Sequence, residues 1–293
     1  MSMPKFKTSS QVRTTLSVVL TLCVSFLFFL SFSTLSPLAA HASELMTETY
    51  DGRTALIYLP TNLPASGNRA LVVVLHGGLG NAQRIAGRLS ESALNMDAVA
   101  DSSGFVVAYL NGTPVAKRLG ADRLGWNAGK CCGQPAEKMI DDVAYLQTTV
   151  NAIAAKYGID RKRIYGVGHS NGAMMIQRMM CETSLFAAAV PISGALENDA
   201  NVCPQARGKR LLAIHGDGDN NVPIAGGKSS KGLSRSSYLS QAATEEVWRR
   251  SGATYDLHII KGAEHTTEKI NMRLVETEST TLVQKIAQYF GLM

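Results

Sequence analysis

The stretch Gly166-Val167-Gly168-His169-Ser170-Asn171-Gly172 constrains this chain more than any other. The short run Arg163-Ile164-Tyr165 before it reads as a strand. Ala173-Met174-Met175-Ile176-Gln177-Arg178-Met179-Met180 after it holds good helix formers and no Pro or Gly. A serine between two glycines at such a turn sits in a strained backbone conformation, and side chains at the flanking positions would strike the adjoining strand and helix. A hydroxyl displayed in this way is a candidate nucleophile. Ser170 is that candidate.

A strand, a sharp turn and a helix around G-x-S-x-G match the nucleophile elbow of α/β-hydrolases. The rest of the chain reads consistently with that class. Tyr50 to Leu59 predicts a hairpin and strand, and Leu71-Val72-Val73-Val74-Leu75 a strand buried on both faces, running into His76-Gly77-Gly78-Leu79-Gly80. Residues 84–100 read as a helix, with Ile85, Leu89, Leu94 and Val99 at roughly helical spacing. Phe105 to Tyr109 is a second buried strand. Residues 111–137, with five Gly and two Pro, form a long irregular connection of the kind that usually carries function. Asp141 to Lys156 is helical, with Val143, Leu146, Val150 and Ile153 on one face. Strands follow at Ala187–Ile192, Leu211–Ile214 and Tyr255–Ile260, with helices near Tyr238–Arg250 and Ser279–Tyr289. Strands alternating with helices predict an α/β fold: a mainly parallel sheet covered by helices on both faces.

The first 42 residues read as an export signal. Lys5, Lys7 and Arg13 precede a mostly apolar run from Leu16 to Leu35, and Ala40-His41-Ala42 is a small-x-small cleavage pattern. Cleavage after Ala42 leaves one catalytic domain, residues 43–293, in a secreted or periplasmic protein without stable membrane association. Retention of the long apolar run as an anchor is the alternative. Cleavage removes three of the 29 Lys and Arg and none of the 23 Asp and Glu, so the formal charge falls from +6 to +3. That modest balance, with no basic cluster interleaved with aromatics, argues against a nucleic-acid partner. Cys131, Cys132, Cys181 and Cys203 remain, an even number suited to disulfides in an exported chain. Cys181 and Cys203 are expected to pair across one side of the sheet, leaving Cys131 and Cys132 free or joined to each other. No metal site or cofactor is expected, since His and Cys do not fall at ligand spacing and the Gly-rich loop lacks the phosphate-cradle pattern.

A serine needs a base, and the base an orienting acid. Along an α/β-hydrolase chain the order is Ser, then Asp or Glu, then His, each on a loop after a later strand. The strand Leu211–Ile214 leads into His215-Gly216-Asp217-Gly218-Asp219, and the strand ending at Ile260 leads into Lys261-Gly262-Ala263-Glu264-His265. Of six histidines, His265 alone is placed to act as base. His258 lies inside a strand, His76 and His215 end strands and serve loops, and His169 packs beside the nucleophile. Asp219 is favoured over Asp217 because it lies deeper in its loop, ahead of Val222-Pro223. The oxyanion donors are expected to be the backbone N–H groups of Asn171 and of Gly78, with Leu79 as the alternative to Gly78.

These residues carry a family resemblance. Leu75-His76-Gly77-Gly78, Val107-Ala108-Tyr109 with Asn111-Gly112, Asp141-Asp142-Val143, the elbow, and His215-Gly216 with Asp219 and Val222-Pro223 resemble the polyhydroxybutyrate depolymerase and feruloyl esterase group of exported α/β-hydrolases. The most specific piece is Gly125-Trp126-Asn127-Ala128-Gly129 followed by Cys131-Cys132-Gly133. The resemblance implies an α/β-hydrolase fold and the triad Ser170, Asp219 and His265. It also implies a substrate pocket bordered by the Trp126 loop, with His169 beside it. The implied substrates are small or oligomeric hydroxyalkanoate esters or, alternatively, feruloyl or acetyl esters of plant polysaccharide. A serine peptidase or a non-catalytic binding protein on the same scaffold are the remaining readings. One departure stands at the histidine, where the group has Thr-Trp-Pro after His and this chain has Thr266-Thr267-Glu268.

Overall fold

The computed structural model describes residues 42–198, 201–229, 231 and 237–293. Residues 1–41, which contain nearly all of the expected export signal with Cys23 and His41, lie outside the described residues. Glu44–Tyr50 (β1) and Arg53–Leu59 (β2) form an antiparallel hairpin. Its turn, Asp51-Gly52, has φ of 47° and 73°, the two left-handed positions of a tight hairpin turn.

Six further strands complete one sheet: Arg69–Leu75 (β3), Phe105–Leu110 (β4), Ile159–His169 (β5), Ala188–Ile192 (β6), Arg210–Gly216 (β7) and Thr254–Ile260 (β8). Their spatial order is β1-β2-β4-β3-β5-β6-β7-β8. Beyond the antiparallel β1, β2 and β4 pairings, every neighbouring pair is parallel. The α/β class and the helix-covered, mainly parallel sheet of the α/β-hydrolase fold are therefore present.

The helices are Ala82–Ile85 (α1), Asp97–Ser103 (α2), Gly133–Glu137 (α3), Asp142–Tyr157 (α4), Asn171–Glu182 (α5), Gln241–Arg250 (α6), Thr267–Glu278 (α7) and Leu282–Tyr289 (α8). The continuous apolar run of β3 explains its central place. Leu71, Val73 and Leu75 join Leu146, Ile153, Met175 and Trp248 on one face of the sheet. Val72 and Val74 join Leu94, Met96 and Phe290 on the other. Burying these five strand side chains contributes on the order of 10 kcal/mol before chain entropy is counted.

The structure departs from the expected elements in three places. Residues 84–100 are not one helix but the ends of α1 and α2 around an irregular segment, and Leu89 is exposed. Gly87 stands at φ 69°, which breaks the helix, and the Tyr109 hydroxyl takes the Met96 N–H at 2.8 Å while donating to Asp97 Oδ1 at 2.7 Å. Tertiary hydrogen bonds thus displace the helical pattern. Helix α7 has no counterpart in the sequence reading, since only Thr267, Ile270 and Leu274 of its twelve residues are buried. The terminal helix starts later than expected, at Leu282, behind a capping box of Thr281 and Gln284.

Cys181, at the end of α5, is bonded to Cys203, and Cys131 is bonded to Cys132. The first bridge closes a loop of 22 residues between buried sulfurs. Replacing both Cys181 and Cys203 with alanine is expected to lower unfolding stability by about 3 kcal/mol. Urea midpoints at constant slope measure the loss. A variant as stable as the parent would show that packing alone holds α5 to the following loop.

Candidate active site

Strand β5 ends at His169 and α5 begins at Asn171, so Ser170 is the turn between them. Its backbone lies at φ 54°, ψ −121°, a region that only a surrounding framework maintains. The glycines supply the room. A Cβ at Gly168 would come within 2.4 Å of the Gly172 oxygen, and one at Gly172 within 2.4 Å of the Leu75 oxygen. No side chain fits there. Gly172→Ala is accordingly expected to cost about 3 kcal/mol and to displace the end of β3 that leads into the His76 loop. Denaturation read beside turnover checks this, and a variant with parental stability would show that the close approach is relieved elsewhere.

The histidine and the acid reach this serine from two later strands. Ser170 Oγ lies 2.9 Å from His265 Nε2, and His265 Nδ1 lies 2.7 Å from Asp219 Oδ2. With Nδ1 protonated, the ring donates to the carboxylate and its Nε2 accepts the serine proton. Asp219 is buried and well supplied with donors: its Oδ1 accepts from the N–H groups of Asn221 (2.8 Å) and Val222 (2.9 Å). Burial pushes this carboxyl up. Hydrogen bonds from His215 and His265 and from the Val222 backbone outweigh it and hold the group well below the usual carboxylate range. Asp217 faces elsewhere, accepting the Gly262 N–H at 2.6 Å on an exposed loop.

Support behind Asp219 comes from residues that sequence reading did not connect. His215 Nε2 lies 2.8 Å from the Val222 carbonyl and 3.3 Å from Asp219 Oδ2. Gln241 Nε2 donates to His215 Nδ1 at 2.9 Å, and the Tyr255 hydroxyl donates to Gln241 Oε1 at 2.7 Å. All three side chains are buried, so the chain of donors orients the acid from beneath. The local signal was a His ending a strand; its partners lie 26 and 40 residues onward and carry no local mark.

His169 sits beside His265, with ring centroids 4.9 Å apart, and its Nε2 lies 2.9 Å from the His265 carbonyl oxygen. Burial, followed by repulsion from the His265 ring, pulls its pKa down to about 4, so it is neutral near pH 7. A neutral Nε2–H donating to that carbonyl braces the His265 loop. His169 also lines the cleft above Ser170.

Trp126 is placed differently from expectation. It is fully buried and does not line the cleft. Its Nε1–H donates to the His76 carbonyl at 3.0 Å, and Asn171 clamps its backbone by accepting its N–H at 2.7 Å and donating to its carbonyl at 3.0 Å. Apolar bulk favours the core, and the indole N–H finds its partner on the His76 loop. Buried Asp142 holds the same segment by accepting the Asn127 N–H at 2.7 Å and an Arg53 hydrogen bond at 2.5 Å. The connection does reach the cleft, but through Val115, Arg118, Arg123, Cys132 and Gly133.

Gly78, Leu79 and Asn171 all line this cleft of about 880 Å³ together with Ser170 and His265. Asn171 opens α5, so its N–H is one of the helix-start donors without an intrahelical acceptor. Met174, Val222 and Tyr238 also line it.

The chain is 29% identical over 162 residues to "Putative esterase NocK" of Nocardia uniformis subsp. tsuyamanensis, covering 54% of this chain and 42% of the relative. It is 27% identical over 173 residues to the bifunctional acetylxylan esterase/xylanase XynS20E of Neocallimastix patriciarum, covering 58% of this chain and 22% of that one. The matched stretch therefore spans less than half the length of either relative. Among solved structures, the acetyl xylan esterase from Aspergillus awamori shares the fold with a TM-score of 0.52 and 17% identity, over 86% of this chain and 100% of that one. Residues 61–281 match the phospholipase/carboxylesterase family. That span runs from the connection before β3 to beyond His265, and the chain belongs to this family of α/β-hydrolase enzymes.

Proposed function

We propose that the protein is a serine carboxylic-ester hydrolase acting on acetyl or feruloyl esters of plant polysaccharide. The observation that carries the reading is the hydrogen-bonded series Ser170, His265 and Asp219 opening into a cleft beside a strained elbow. In this mechanism Ser170 Oγ attacks the ester carbonyl carbon while His265 Nε2 takes its proton. The oxyanion forms against the N–H groups of Asn171 and Gly78. Collapse of the tetrahedral intermediate breaks the bond to the alcohol, which leaves with the proton from His265. Water, deprotonated by the same ring, then attacks the acyl-enzyme and releases the acid. Asp219 holds the ring in the required tautomer and stabilises its cation.

Similarity to an acetylxylan esterase supports the polysaccharide-ester substrate over the hydroxyalkanoate one. The leader-like first 42 residues support export, with residues 43–293 as the working domain. The test offers the full chain acetylated xylo-oligosaccharide, methyl ferulate and a hydroxybutyrate oligomer in parallel. The expected result is turnover of the first or second at least about tenfold more efficient than the third. Preference for the hydroxybutyrate oligomer would return the substrate to the other branch of the resemblance, and no ester turnover would overturn the esterase reading.

A further inference from the structure

Three arginines line the cleft on two adjoining segments, which make up its arginine end. Arg84 lies in α1, just after the His76 loop, and Arg118 and Arg123 lie on the hairpin-like excursion formed by residues 113–125. All three line the same cleft as Ser170 and His265. The two segments are stitched together: the Leu124 N–H donates to the Gly80 carbonyl at 3.0 Å, and Asn81 Nδ2 donates to the Asp122 carbonyl at 3.1 Å. The segment that follows the His76 loop and the segment that carries Arg118 and Arg123 are therefore held side by side.

The protein's own acids leave this end underused. Arg84 meets Asp122 only at 3.8 Å, between side chains 41% and 62% exposed, a separation and setting in which an ion pair contributes little. The Arg84 Nε is shielded from solvent and has no acceptor among the described residues. Arg118 and Arg123 make no ion pair among the described residues. Elsewhere the same chain pairs its arginines closely, as Arg53 does with Asp142 and Arg178 with Glu182.

Carboxylates do line the cleft. Glu91 and Glu268 belong to the end that it shares with an adjoining groove containing Asn95 and Asn271. Glu137 lies at the end of α3 and forms no ion pair with the three arginines among the described residues. Four cationic side chains, counting Lys231, and these three carboxylates line the cleft. A guanidinium fork matches a carboxylate in shape and donates two parallel hydrogen bonds to it.

We infer that the Arg84, Arg118 and Arg123 end of the cleft binds a carboxylate carried by the ester substrate, away from the bond that is cleaved. The inference rests on the esterase reading above and narrows it to acidic esters. Two sources supply that chemistry: an acylated oligosaccharide bearing a uronic acid, or a hydroxyacid oligomer with a free carboxyl end. In either case the arginines act on binding and register, leaving bond cleavage to Ser170 and His265.

The experiment compares matched pairs on the full chain: acetylated xylo-oligosaccharide with and without a glucuronate branch, and hydroxybutyrate trimer as free acid and as methyl ester. The expected result is a preference of about tenfold in kcat/KM for the carboxylated member of one pair, expressed mainly in KM. That preference declines between about 0.02 M and about 0.5 M salt. In Arg84→Gln/Arg123→Gln it falls toward one, with Arg84→Lys/Arg123→Lys between the two because charge remains without the fork. The pair that shows the preference identifies the source. Equal efficiency within both pairs overturns the inference while the esterase reading stands. A preference that survives the double substitution, or a stronger preference for a phosphate-bearing ester, also overturns it. Absence of turnover on every ester sinks the esterase reading and this inference with it.

Discussion

Ser170→Ala is expected to reduce ester turnover by about 10⁴ to 10⁶-fold while leaving the fold intact. The substitution removes one oxygen and nothing else. Alanine keeps the Cβ that already occupies φ 54° at the elbow, so the backbone strain is the same before and after. What disappears is the hydrogen bond from Oγ to His265 Nε2 at 2.9 Å in a partly open cleft, a contribution of about 1 kcal/mol. Urea midpoints should therefore move little while the acyl-enzyme can no longer form. Mass spectrometry after treatment with a serine-reactive phosphonate supplies the second readout, with label on the peptide containing Ser170 in the parent and none in the variant. Substantial turnover by the variant would show that another group carries the chemistry.

The second large effect separates two neighbouring acids. Asp219→Asn is expected to lower kcat by about 10⁴-fold, whereas Asp217→Asn should stay within about threefold of the parent. The introduced amide side chain can keep the bonds from the Asn221 and Val222 N–H groups on its oxygen. Its NH₂ group would then face His265 Nδ1 and His215 Nε2, so donors would oppose donors at distances now set by a carboxylate, 2.7 and 3.3 Å. The His265 ring loses the acceptor that keeps the proton on Nδ1. Asp217, by contrast, only accepts the Gly262 N–H, which an amide oxygen can also accept.

The same carboxylate sets a pH dependence with a definite sign. Its native pKa lies below the ordinary value, so it stabilises the fold above pH of about 4, and that contribution is lost as the pH falls further. Equal losses in the two variants would show that the acid's place is not decided by the Asp219 geometry.

Much of this arrangement is legible in the chain because it is local. The Gly168-x-Ser170-x-Gly172 spacing, the apolar run of β3 and the Gly-rich loop after His76 each concern residues that are neighbours in sequence and in space. Steric rules acting over a few residues leave them few conformations. Chain order and strand count likewise bring His265 and Asp219 forward, since the loops after successive parallel strands collect at one edge of the sheet. Where local preference is weak, reading from sequence fails. Helix α7 is mostly exposed, and only Thr267, Ile270 and Leu274 of its twelve residues mark the face that it buries. Around Gly87, hydrogen bonds from Tyr109 override an acceptable helical pattern.

Composition and spacing determine the α/β class, the elbow and the residue types able to perform acyl transfer. Tertiary structure alone decides that Trp126 is a buried clamp on the His76 loop, that His169 braces His265 through its carbonyl, and that Gln241 and Tyr255 stand behind Asp219. It also brings the segments carrying Arg84, Arg118 and Arg123 together in the lining of one cleft. The physical reason is range. Backbone sterics and hydrophobic periodicity act between near neighbours, whereas the hydrogen bonds of the site join residues 46 and 95 positions apart. Those bonds acquire their distances only when the sheet has packed.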